Sequence, residues 1–187
     1  MKKLFLSLVA LLTAVVASAQ VYVGGEVGLW RNTEDNHTSF TIAPQVGYNL
    51  NDKWAIGLEF MYNHEYYDGV KADGAGVAPY ARYTVAKAGP VSFMLDGGVG
   101  FATYKAKYKG YDSDSYNAWQ IGITPAVKVS LTKKVDFIAS LGFLGYRDND
   151  DMADVDGEKV SAPAFGEKGF GFSFSSNDLK FGVVYNF

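Results

Sequence analysis

Apolar residues alternate with small or polar ones through eight segments of this 187-residue chain, and no stretch beyond its first twenty residues carries a long apolar run or apolar residues at helical spacing. Period-two alternation of that kind marks strands with two unlike faces. The expected strands are 21 to 30, 38 to 50, 54 to 64, 76 to 87, 91 to 104, 116 to 131, 135 to 147 and 170 to 187. "NDK" at 51–53, "AGP" at 88–90 and "TKK" at 132–134 predict tight turns. The breaks after Trp30, His64, Tyr104 and Arg147 are polar, rich in Asp, Asn and Gly, and predict long loops. Short turns then lie at one end of an antiparallel meander and long loops at the other.

The two faces differ in bulk. One carries Val27, Leu29, Ile42, Ile56, Phe60, Phe101 and Ile121, and it closes with the stripe of the final "LKFGVVYNF". The other carries Gly24, Gly28, Gly47, Gly57, Gly98, Gly100 and Gly122 among a few charged residues. An eight-stranded barrel has an interior barely wide enough for its side chains, so the bulky face must lie outside and the small face must line the lumen. On a wet exterior, repeated glycine would weaken the strands for no gain. An even number of strands, short turns on one side, long loops on the other and a bulky exterior are the layout of a transmembrane barrel, here all-β, antiparallel and up-and-down. Pro44, Pro79 and Pro125 fall inside expected strands, where each removes a ladder donor, and are expected at bulges.

Heights along the strands agree with a bilayer. From Trp54 to Tyr62 a tilted strand climbs about 20 Å, close to an apolar band of about 25 Å. Aromatics fall at both rims: Tyr48, Trp54, Tyr83 and Tyr185 on the short-turn side, and Trp30, Tyr62, Phe101 and Trp119 on the long-loop side. On the lumen face Glu26, Glu59, Arg82, Asp96, Lys128 and Lys180 are expected at similar heights, three acids with three bases. Charges in so narrow a bore persist only if paired, which predicts an ion-pair network that plugs the lumen. A gated or selective pore lined by the same residues is the alternative.

The chain begins "MKKLFLSLVALLTAVVASAQ": two lysines, an apolar run from Leu4 to Val16 and a small-residue cleavage pattern at Ala17-Ser18-Ala19. This predicts a signal peptide over residues 1–19 and one barrel domain over 20–187. Without Lys2 and Lys3 the exported chain holds 15 basic residues against 20 acidic, a formal charge of −5. No basic face for nucleic acid is expected from that balance. The absence of cysteine excludes both a disulfide framework and a thiolate metal site.

The leader, the eight alternating segments, the asymmetric breaks and the terminal "YNF" resemble the small outer-membrane barrels, the OmpA and OmpX type of transmembrane domain and the outer membrane protein beta-barrel domain. The resemblance spans residues 20–187 and implies that the barrel assembly machinery reads Val183, Tyr185 and Phe187 at the end of the last strand. It implies an outer-membrane location with long loops outside and short turns in the periplasm, contact with membrane lipid and lipopolysaccharide, and a monomer. The last strand is then expected to pair with the first. No cell-wall-binding module is expected after Phe187.

Motifs that carry chemistry are few. His37-Thr38-Ser39 resembles the His-x-Ser of outer-membrane lipid A deacylases, but both residues take lumen parity, and no catalytic residue is assigned. His64 has no partner that spacing identifies. Around Asp154-x-Asp156-Gly157 an EF-hand would put Met152 and Pro163 at its first and last ligand positions, which rules out the standard calcium loop. Asp148, Asp150 and Asp151 leave a loose divalent contact as an alternative to a solvated acidic loop. Lys105, Lys107 and Lys109, interleaved with tyrosines, suit lipopolysaccharide phosphates or a protein partner. No cofactor or metal is expected. The expected role is structural or interactive, adhesin-like or in envelope integrity, with an extracellular ligand of the loops unidentified; a small-solute channel and a lipid A-modifying enzyme are the rivals.

Overall fold

The computed structural model describes residues 20–34, 36–67, 69–108, 111–149, 153–155, 158–160, 168–174 and 179–187. The expected leader, Lys109, Asp150 and Asp151 lie outside these residues, as do Met152, Asp156, Gly157 and Pro163. Six strands are continuous: β1 (Val21–Asn32), β2 (His37–Asn49), β3 (Trp54–Tyr67), β4 (Val70–Ala88), β5 (Val91–Tyr108) and β6 (Tyr116–Ser130). Strand β7 consists of two runs, Val135–Ser140 and Phe143–Asn149, and β8 of Gly169–Ser173 and Lys180–Asn186. Each pairs antiparallel with the next, and β8 returns to β1 with Tyr22 opposite Asn186 and Val27 opposite Phe181. The barrel is closed, so the apolar last strand has no free edge. Phe187 N–H donates to the Val21 carbonyl at 3.1 Å.

The outward face is exposed along its length, including Ile56, Phe101, Ile121 and Val183 at 48 to 55%. So continuous an apolar surface is stable only against lipid. Beyond the upper aromatic rim, alternation continues with its polarity inverted. Lys71, Asp73, Lys105 and Lys107 point out while Ala72, Tyr104 and Ala106 are buried. The break expected after His64 is therefore no long loop: the ladder runs to Tyr67 opposite Val70, turning through Gly69 at φ 88°. Strand β5 likewise runs four residues past Tyr104, and the short run Tyr111–Asp112 folds back onto it. Outside the membrane the outer face meets water, so the rule for polarity reverses while the ladder persists.

Bulges do not form at two of the three prolines. Ile42 opposite Tyr62 and Gln45 opposite Glu59 keep one register across Pro44, and Val77 opposite Phe101 and Tyr80 opposite Gly98 keep one across Pro79. Each proline interrupts the ladder toward a single neighbour and remains paired with the other, Gly25 or Leu58. A strand residue sends its N–H to one side only, so a missing donor costs one side only. The register shift in β4 falls instead between Thr84 and Ala86. Pro125 does lie beside an irregularity: β7 breaks at Leu141 and Gly142 (φ 80°), and Leu141 N–H donates to the Pro125 carbonyl.

The lumen is not lined by small and polar residues alone. Tyr22 stands opposite Gly47, Tyr80 opposite Gly57 and Gly98, and Tyr104 opposite Gly74. A Cβ on Gly47, Gly57 or Gly74 would fall 2.1 to 2.4 Å from the facing ring. These glycines are the space the tyrosines occupy. The rings and their neighbours fill the bore in layers: Tyr22, Met94, Ile138 and Val184 toward the short turns, and Tyr104 stacked on Tyr116 at 5.6 Å toward the long loops.

Candidate functional site: the barrel lumen

Between those layers lies a polar cluster. Arg82 on β4 faces Asp96 on β5 in register, and its Nε and one Nη each donate to a different carboxylate oxygen at 2.7 Å. The guanidinium also lies 5.1 Å from the ring centroid of Tyr80 and 5.8 Å from that of Tyr22, a cation–π arrangement for a desolvated charge. Tyr80 O–H donates to Gln45 Oε1 at 2.6 Å, which leaves Tyr22 O–H, 2.8 Å from the Tyr80 oxygen, as the donor of that bond. Each group here answers to a partner from another strand, so the cluster ties β1, β2, β4 and β5 together across the bore.

Lys180 Nζ lies 3.5 Å from Glu59 Oε1. Lys128 does not join these pairs. It lies two residues from the end of β6, toward the short turns, and its ammonium meets Asp136 at 3.2 Å, where Asp136 also accepts from Asn186 at 2.9 Å. Glu26 is buried, and its Oε1 has no hydrogen-bond partner. The six charges expected at one height thus divide into Arg82–Asp96, Lys180–Glu59, an unpaired Glu26 and a separate lower pair. Asp136, Tyr22 and Tyr80 were not among the expected site residues. Parity alone places all three inside, since they alternate with outward neighbours.

A cavity of about 350 Å³ rises from Glu26, Glu59, Asp96 and Lys180 toward the long loops. At its mouth Glu65 accepts from Ser39 Oγ at 2.7 Å and meets His37 Nε2 at 2.8 Å. The carboxylate lies between serine and histidine, so His37 is not hydrogen-bonded to Ser39 as a base to its nucleophile. On the outer surface His64 and Tyr62 both bond Asp73, at 2.8 and 2.6 Å. Asp148 pairs with Lys168 at 2.8 Å and Lys107 with Asp112 at 3.1 Å. Among the described residues no three His, Asp or Glu side chains converge as a metal site.

Of the expected interfacial aromatics, Trp54 packs on Tyr83 at 4.7 Å in register, with Tyr48 and Tyr185 at the same end of the barrel. Tyr62 and Trp119 lie outward toward the other end, Trp119 opposite Phe101. Trp30 differs: it stands opposite Ser39, on the face of Gly28 and Glu26, and lines the cavity mouth. At the end of β8, Val183 and Tyr185 face outward and Phe187 packs edge-on against Tyr185 at 5.1 Å.

The family model described as outer membrane protein beta-barrel domain matches residues 4–187. The fold is similar to the crystal structure of Neisserial surface protein A, with a TM-score of 0.52 and 17% identity over 91% of this chain and 98% of that one. The translocator domain of the autotransporter NalP from Neisseria meningitidis matches at 0.41 and 11% identity, over 90% of this chain and 88% of that one. No curated relative matches the sequence.

Proposed function

The chain belongs to the outer membrane protein beta-barrel domain family, and from that premise we propose that it is an outer-membrane anchor whose long-loop end acts in surface interaction or envelope integrity. The observation that carries this reading is the occluded bore. Below the cavity, the Arg82–Asp96 pair, the Tyr22–Tyr80–Gln45 chain and the apolar layer of Met94, Ile138 and Val184 occupy the lumen. Eight strands leave little room for water around them. A barrel that does not conduct offers its two ends and its lipid face as working surfaces.

In this reading the long loops are extracellular and the short turns periplasmic, the partners are membrane lipid and lipopolysaccharide, and the protein is a monomer without enzymatic activity. The barrel assembly machinery recognises Val183, Tyr185 and Phe187. Residues 1–19 are the cleaved leader. The test combines protease shaving of intact cells with planar-bilayer recording. Clipping confined to the long loops, with the barrel core protected and no steady conductance, supports the reading. Small-solute conductance that disappears when Arg82 or Asp96 is neutralised or reversed would make the protein a channel instead.

A further inference from the structure

The lumen charges do not balance at mid-height. Asp136 takes Lys128 toward the short turns, which leaves Glu26, Glu59 and Asp96 against Arg82 and Lys180 among the described residues. Arg82 is committed to both oxygens of Asp96, and Lys180 lies 3.5 Å from Glu59, with Glu26 the next acid within its field. Glu26, only 3% exposed, retains an Oε1 that bonds nothing. A second buried polar group accompanies it. Ser140 is 2% exposed, its Oγ has no partner other than the neighbouring Glu26 carboxyl, and it stands opposite Lys180 on the same inner wall. Glu26 stands opposite Gly182, where an added Cβ would lie 2.7 Å from Glu26 Cγ, so the glutamate arm lies over the glycine, one strand away from Ser140. Glu26 and Ser140 both line the cavity.

A buried carboxylate without a partner is costly until a proton or a cation satisfies it. A proton needs no space, yet the cavity of about 350 Å³ beside Glu26 exceeds by roughly tenfold the ~30 Å³ that one water occupies. Thr41 and Thr124 are among the residues that line the cavity, and their hydroxyl oxygens are of the donor class hard cations prefer. A single negative charge is in excess, and Arg82 and Lys180 bracket it, so a divalent ion would bring one positive charge too many. We propose that the lumen cavity is a binding site for a monovalent cation, an alkali ion or a small protonated primary amine, seated on Glu26 with Ser140. It rests on the plugged-lumen reading to this extent: the occluded floor makes the cavity a receptacle open toward the long loops, so the cation is held and not conducted.

The test uses the full barrel refolded in detergent micelles with side-chain 13C-labelled glutamate, at neutral pH and with ionic strength held by a bulky cation. The Glu26 carboxyl resonance is assigned by its loss in Glu26→Gln. Titration with potassium chloride, and separately with 13C-methylammonium chloride, is expected to move that resonance saturably at the shift of an ionised carboxylate. A response to potassium alone identifies an alkali-ion site, a response to methylammonium alone identifies an amine site, and both support the proposal. In Ser140→Ala the saturation midpoint is expected to rise about tenfold, as for loss of one hydrogen bond to a charged group, while Glu65→Gln at the mouth leaves it unchanged. Ser140→Ala also provides a reading should Glu26→Gln fail to show the unboiled gel shift of a folded barrel. A Glu26 carboxyl that stays at the protonated position and responds saturably to neither cation overturns the proposal. Conductance of wild-type protein in planar bilayers would overturn the plugged reading instead, and saturable binding would still uphold the site.

Discussion

Arg82 and Asp96 stand directly opposite each other on β4 and β5, joined by two parallel hydrogen bonds of 2.7 Å, with the rings of Tyr80 and Tyr22 against the guanidinium. Fork-to-fork geometry of this kind fixes orientation as well as energy. Removing one partner leaves the other buried and uncompensated.

Asp96→Asn and Arg82→Gln are each expected to lower barrel stability by about 3 to 5 kcal/mol, the cost of stranding half of a buried pair. A double replacement, Arg82→Leu with Asp96→Leu, is expected to recover most of it. Reversible urea unfolding in lipid vesicles, followed by tryptophan fluorescence, checks the order. Similar losses in the single and double variants would contradict it.

Gly47→Ala and Gly57→Ala test the space that the tyrosines fill. The new methyl carbon would sit 2.2 Å from the Tyr22 ring or 2.4 Å from the Tyr80 ring, and overpacking of this kind costs about 1 to 3 kcal/mol. The same unfolding assay measures it. Pairing Gly57→Ala with Tyr80→Ala is expected to restore part of what Gly57→Ala alone removes, because the clash goes with the ring.

Leu58→Arg places a charge midway between Trp54 and Tyr62 on the outward face of β3. It is expected to cost about 2 to 4 kcal/mol, whereas Tyr83→Arg, opposite Trp54 at the rim, should cost about 0 to 1 kcal/mol. Equal penalties at both depths would contradict lipid on this face.

Phe187→Ser tests the terminal position. Backbone pairing of β8 with β1 reaches Phe187 N–H on the Val21 carbonyl, and a serine keeps that bond. Refolding in vitro is therefore expected to be little changed, while the folded fraction in the outer membrane of cells falls, read as loss of the unboiled gel shift. An equal loss in both settings would place the role of Phe187 in stability and not in recognition.

Strand number and the sense of each face were legible in the sequence because lipid and a narrow bore impose opposite demands on alternate residues. The outward set from Val27 to Val183 is local information of period two. Lys71-Ala72-Asp73 escaped it because above the membrane the demand reverses: the alternation is intact, but a rule that looks for apolar residues outside overlooks it. Tyr22 and Tyr80 were hidden for a different reason. Their fit depends on Gly47, Gly57 and Gly98 lying opposite, on neighbouring strands 18 to 25 residues away in the sequence.

The sequence by itself determined an all-β chain with a lipid-facing stripe and a charged lumen, since those follow from residue type at each parity. Only the tertiary structure decided which charges meet. Register brings Asp96 to Arg82 and carries Lys128 to Asp136, and strand closure sets Lys180 beside Glu59, leaving Glu26 unpaired over Gly182. Pairing across a barrel depends on the relative heights of distant strands, and turns, breaks and register shifts fix those heights where composition is silent.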